Sequence, residues 1–202
     1  MKPLTFVASF LSLTLLSTLA HSADRTGVNN ISPIMEETTT PKTDGWNHLF
    51  MTITWTGSAV ALDELGKPKP AEVIYSGTAT TEGNVAFVCY DGRLSVSMAL
   101  EPVDLRDAVL DTPSSRRLRV AIPDITIAGE EQSAKQWAYM PAMKVFRARK
   151  KSSAAKLYNA AIRNDPVTAR YRGDKISLNM PQIDNTFADF GADCGMGRNA
   201  NT

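Results

Sequence analysis

The stretch VAFVCYDGRLSVSMAL, residues 85–100, decides the fold. Its centre, Asp91-Gly92, supplies the two positive backbone angles that a two-residue hairpin turn needs, so the chain reverses there. On the far side Leu94, Val96, Met98 and Leu100 alternate with Arg93, Ser95, Ser97 and Ala99, a strand with one apolar face. On the near side the residues leading to Cys89 are apolar on both faces, which predicts a central strand. A hairpin of this kind at mid-chain makes the protein β-rich.

Similar signals extend in both directions. Upstream, HLFMTITWTG (48–57) alternates through Leu49, Met51, Ile53 and Trp55, LGKPKPAE (65–72) breaks the chain, and EVIYSGTAT (72–80) resumes it. Downstream, RRLRVAIPDITIAG (116–129) alternates through Leu118, Val120 and Ile122, and KQWAYMP and MKVFRARK read as two strands broken at Pro141. The first helical spacing comes in SSAAKLYNAAIRNDP (152–166), with Ala154, Leu157, Tyr158, Ala161 and Ile162 on one face, Ser152 or Ser153 as cap and Pro166 past the end. VTARYRGDKISLNMP (167–181) is a second hairpin, turning at Gly173-Asp174. Beyond it Asp184 or Asn185 caps a short helix whose Phe187, Phe190 and Cys194 share a side. The expected fold is a β-rich α+β domain, an antiparallel sandwich or partly open barrel carrying one long and one short C-terminal helix.

Residues 1–23 have the layout of a secretory signal peptide: Lys2 at the start, an apolar run from Leu4 to Leu19, and small residues at Ala20, Ser22 and Ala23. The run is too short and too interrupted by Ser and Thr for a membrane span. The expectation is a periplasmic or secreted protein. Residues 24–45, rich in turn formers and without periodicity, read as a flexible N-terminal segment, 46–197 as the domain and 198–202 as a tail. Beyond residue 23 basic and acidic side chains balance at 21 each, but unevenly. Residues 24–104 hold 5 basic and 11 acidic, and residues 105–175 hold 15 basic and 7 acidic. The two halves are expected to attract each other within the fold.

Export makes an even cysteine count read as a disulfide, and two cysteines allow one pairing, Cys89 with Cys194. No CxxC spacing suggests a thiol oxidoreductase. His48 is the one histidine beyond the signal peptide, too few soft ligands for a metal site, and no cofactor is expected.

A strand cysteine near an Asp-Gly turn followed by a final FxxFGxxCG helix resembles small one-disulfide periplasmic proteins of proteobacteria. The likeness is to the periplasmic accessory proteins of type VI secretion and, more loosely, to the invasion-associated locus B proteins. It runs from Val85 to Gly195 and rests on Cys89, Trp137, Leu157, Phe187, Phe190 and Cys194. CYDGRLSV also looks like the opening hairpin of C-type lysozyme inhibitors, which implies an inhibitor of a lytic enzyme as an alternative. None of these likenesses brings catalytic residues.

Catalytic parts are sparse. A Ser-His-Asp triad would have to use His48, and no GxSxG elbow is present. GADCGMG (191–197) does not sit between a strand and a helix as a phosphate loop does. Glu130-Glu131 and Asp63-Glu64 read as solvated turns, and the tripeptide Arg172-Gly173-Asp174 as a hairpin reversal. The sharp feature is KVFRARKKSSAAK (144–156). There Lys144, Arg147, Arg149, Lys150 and Lys151, with Lys156 beyond, cluster where a strand gives way to a helix, a candidate contact for an envelope protein or an anionic glycan or lipid. Nucleic acid is not expected, because no aromatic residues are interleaved to stack on bases. The function read from the residues is non-enzymatic binding of protein or glycan, accessory to secretion or envelope integrity, with an envelope hydrolase using His48 as the alternative.

Overall fold

The structure, a computed structural model, describes residues 30–33, 40–54, 62–67, 69–106 and 118–196. The expected signal peptide, the tail and Trp55 lie outside them. The Asp-Gly hairpin is present as read: β4 (Val85–Tyr90) and β5 (Arg93–Ala99) pair with Tyr90 opposite Arg93, and Asp91 and Gly92 take φ of 50° and 66°. From it an eight-stranded antiparallel sheet grows. On one side come β3 (Pro70–Ser76), β2 (Trp46–Thr54) and the edge strand β1 (Asn30–Pro33). On the other come β10 (Val145–Ala148), β9 (Trp137–Met140) and β6 (Arg119–Ala121). Residues 30–33, inside the stretch read as a flexible lead-in, are therefore sheet-paired. A second sheet has the order β12 (Asp174–Ser177), β11 (Val167–Tyr171), β7 (Asp124–Ile127) and β8 (Glu130–Glu131). The fold is α+β and β-rich, and the sheets do not close into a barrel.

Pleating gives the large sheet two apolar faces. One carries Trp46, Ile74, Phe87, Cys89, Leu94, Val96, Phe146 and Trp137, and against it pack helix α1 (Lys151–Arg163), helix α2 (Asn185–Asp193) and the inner face of the small sheet. The other carries Met51, Val73, Tyr75, Ala86, Ala99, Met140 and Val145, over which Leu105 lies. Cys89 thus sits on a strand with both faces apolar, four strands in from one edge, and it is disulfide-bonded to Cys194 at the end of α2. Asp184 caps α2 by accepting from the Phe187 amide at 3.0 Å, and Phe187 and Phe190 point into the core.

Four local expectations are corrected. The segment 116–129 is two strands, not one. Pro123 separates β6 from β7 and sends them to different sheets, and the alternating set Leu118, Val120 and Ile122 is the exposed one, at 39, 59 and 50 %. The second hairpin turns at Arg172-Gly173, φ 54° and 98°, because Tyr171 pairs with Asp174 and so puts Asp174 on β12. Glu130 and Glu131 form the exposed short strand β8 rather than a turn. Neither Ser152 nor Ser153 caps α1; the cap position belongs to Lys150.

Candidate anion-binding cleft

Lys150 at the cap position sets the chemistry of the start of α1. Lys150 is extended, φ −124° and ψ 136°, and its side chain caps nothing. A lysine has no acceptor to offer the free amides of a first turn, and the first turn of α1 carries no acidic residue. The Ser153 and Ala154 amides share the Lys150 carbonyl at 3.1 and 3.4 Å, leaving the first amides of the helix to be met from outside. Ser153 is buried, 8 % exposed, and its Oγ has no hydrogen-bond partner. A buried hydroxyl without a partner costs about 1–3 kcal/mol, so its retention calls for an explanation.

An open cleft lies beside this helix start. Its floor is apolar, built by Pro123, Ile125 and Ile127 from the β7 region, Trp137 from β9 and Leu157 from α1. Its rim is polar: Ser152, Ser153 and Lys156 on the helix face Gln132, Ser133 and Lys135 on the extended chain after β8. The rim is held in place locally. A two-residue turn at Ala128-Gly129, both with positive φ, folds β8 back on β7. The Gln132 amide then returns to the Ile125 carbonyl at 2.8 Å, and Lys156 Nζ donates to Gln132 Oε1 at 2.8 Å, joining the two walls. Two ammonium groups and the positive end of a 13-residue helix thus surround a pocket that offers donors over an apolar floor.

The basic segment is split by this geometry. Arg149, Lys150 and Lys151 gather, exposed, at the start of α1, with Arg149 Nη1 donating to Gln136 Oε1 at 3.2 Å. Lys144 is not with them. It lies in the β9–β10 turn, φ 55°, ion-paired with Glu101, which raises its pKa. At 3.3 Å per residue the length of β10 puts it about 16 Å from Arg149. Arg147 follows the core residue Phe146 on β10, so it faces the opposite side of the sheet from α1, beside Ser97 and Ala138. Sequence reading missed Lys135, Gln132 and Ser133, which reach the helix start only through the fold. The available signal was Lys-Lys-Ser-Ser opening a helix with no carboxylate in its first turn.

His48, the hydrolase candidate, lies on β2 with its Nε2 2.9 Å from Glu72 Oε1 on β3 and its ring edge-on to Phe50. Glu72 is buried, which pushes its pKa up; His48 partly offsets this, and Asp189 and Asp193 on α2 add to the rise. An imidazole held by a carboxylate is two parts of a triad, and among the described residues no hydroxyl is hydrogen-bonded to it. Among the same residues no group of three metal-ligating side chains gathers, and no helix is long and apolar enough to cross a membrane. No family model matches the chain, and neither a curated protein nor a solved structure matches it.

Proposed function

We propose that the protein is a non-enzymatic binding component of the bacterial cell envelope, exported to the periplasm, that holds an anionic group of an envelope protein or glycan in the cleft at the start of α1. One observation carries this reading: the uncapped start of α1 borders an apolar-floored cleft that Ser152, Ser153, Lys135 and Lys156 line, and the Ser153 hydroxyl is buried there without a partner. The Cys89–Cys194 disulfide is compatible with an oxidising compartment. Arg149, Lys150 and Lys151, exposed beside the cleft, attract the ligand at longer range.

Changing Arg149, Lys150 and Lys151 together to Ser tests the reading by retention on purified envelope fractions. Retention should fall at low salt and fall less at physiological salt, where screening has already weakened the attraction. Unchanged retention at both salt levels would reduce the segment to a solvated face. The His48–Glu72 pair favours the second reading, an envelope hydrolase. His48→Ala separates the two, since it removes a hydrolase activity and leaves binding at the cleft, which His48 does not line, intact.

A further inference from the structure

We infer that the cleft takes the free C-terminal carboxylate of a peptide whose last residue is small and apolar, an inference that rests on the anion-site reading above. The lining separates into two parts with different demands. The helix amides, the hydroxyls of Ser152 and Ser153 and the rim ammonium groups form one end. Ile125, Ile127, Trp137 and Leu157 form the floor beside it. A ligand that satisfies both carries a negative charge directly next to an apolar group, which is what the end of a peptide chain presents.

Charge and size narrow the class further. The charged donors of the lining are two lysines, and Lys156 already spends one donor on Gln132. A phosphate dianion set against five apolar side chains would lose more hydration than two lysines and neutral hydroxyls return, whereas a monovalent carboxylate matches the donors present. The floor is built by five apolar residues only, so the apolar group it covers is small. The polar far rim, Gln132 and Ser133, suits the amide group that precedes a C-terminal residue and offers a long acyl chain nothing. Ser153 is the residue specific to this role: it lines the cleft, and its buried Oγ has no partner, which a bound carboxylate oxygen would supply.

The test is an amide-resolved NMR titration of the purified, disulfide-bonded protein. The probes are acetyl-Ala-Ala with a free carboxylate, in both the all-L and all-D forms, the same peptide capped as the C-terminal amide, octanoate, and inorganic phosphate. The free acid should shift the amides of Lys151 and Ser152 and the Trp137 indole, and the capped peptide should bind at least about tenfold more weakly, because its neutral end gains nothing from the cations. The preferred hand of the peptide tells a protein C-terminus from a peptidoglycan stem. Ser153→Ala should weaken the acid about tenfold without lowering the melting temperature, since it deletes a hydroxyl that the unliganded fold leaves unmet. Equal binding of acid and capped peptide overturns the inference. So does tighter binding of octanoate than of the peptide, or of phosphate at the same amides, and either leaves the anion site standing. If no anion moves those amides, the anion-site reading fails with it.

Discussion

Glu72 carries a side chain that the fold treats against its chemistry. It sits on the core face of β3, opposite Cys89 on β4, with His48, Asp189 and Asp193 as its charged neighbours. Burial favours the neutral acid and outweighs the help from His48, so the native state holds this proton more tightly than the unfolded chain does. By linkage, stability is fully present below the ordinary value of 4.5 and is lost as pH rises through the raised native value. Glu72→Gln keeps the shape and an acceptor for His48 while removing the titration. The variant should match the parent near pH 4 in urea denaturation and exceed it by pH 7. A variant that is less stable at pH 7 would mean that the His48 ion pair outweighs the burial. None of this was legible beforehand: the alternation of β2 was plain, but which β3 residue meets His48 depends on the register, Phe50 opposite Glu72, and a two-residue period does not specify its partner strand.

The two helices meet through an aromatic contact. Tyr158 stacks on Phe187 with ring centroids 4.9 Å apart, and the Tyr158 hydroxyl occupies the space that a Cβ on Gly191 would need. The phenol is buried, which raises its pKa. Gly191→Ala should therefore destabilise by roughly 1–3 kcal/mol through overpacking. Tyr158→Phe in the same chain should restore most of that loss by deleting the atom in conflict, a coupling that a double-mutant cycle reads directly. Additive effects would place the strain elsewhere. Asp184→Ala should cost about 1 kcal/mol, since it frees the Phe187 amide at the start of α2. At this scale the sequence was informative wherever local chemistry decides: the Asp-Gly turn, the Pro141 break, the Asp184 cap and the α1 face, save Ile162, which was placed on that face and is 47 % exposed. It misled where tertiary packing overrides. Ser152-Ser153 resemble caps, yet the helix starts at Lys151 because β10 ends just before it. The apolar set of β6 faces outward because this three-residue edge strand contributes only Ala121 to the core. The cleft stayed hidden for a related reason, since its walls come from α1 and from residues about 20 positions earlier.

Across the whole molecule the acidic first half and basic second half were expected to hold each other. Lys144–Glu101 and the near neighbours Arg106–Asp104 join them, but Lys69–Asp91, Arg163–Asp165 and Arg170–Asp124 each lie within one half, and pairs with this much exposure contribute little. What ties the ends of the fold together is apolar and covalent. Phe187 and Phe190 on α2 close over Trp46 and Phe87, burial that stabilises by roughly 3–6 kcal/mol at 1.5–3 per side chain. The Trp46 indole donates to the Pro181 carbonyl at 3.2 Å just ahead of the helix. The disulfide then fixes α2 to the central strand across a separation of 105 residues. In the chain-entropy model that loop is worth about 4–5 kcal/mol, acting on the unfolded state. The two contributions predict different things for Cys89→Ser/Cys194→Ser. Aromatic burial should keep α2 docked in water, with tryptophan emission like the parent's, while the urea midpoint falls by the equivalent of about 4 kcal/mol. Red-shifted emission before denaturant is added would mean that the disulfide, not the aromatic contact, seats the helix. Two thiols titrating in the unfolded, unreduced parent would remove the covalent tie altogether, and with it the compartment that the tie supports.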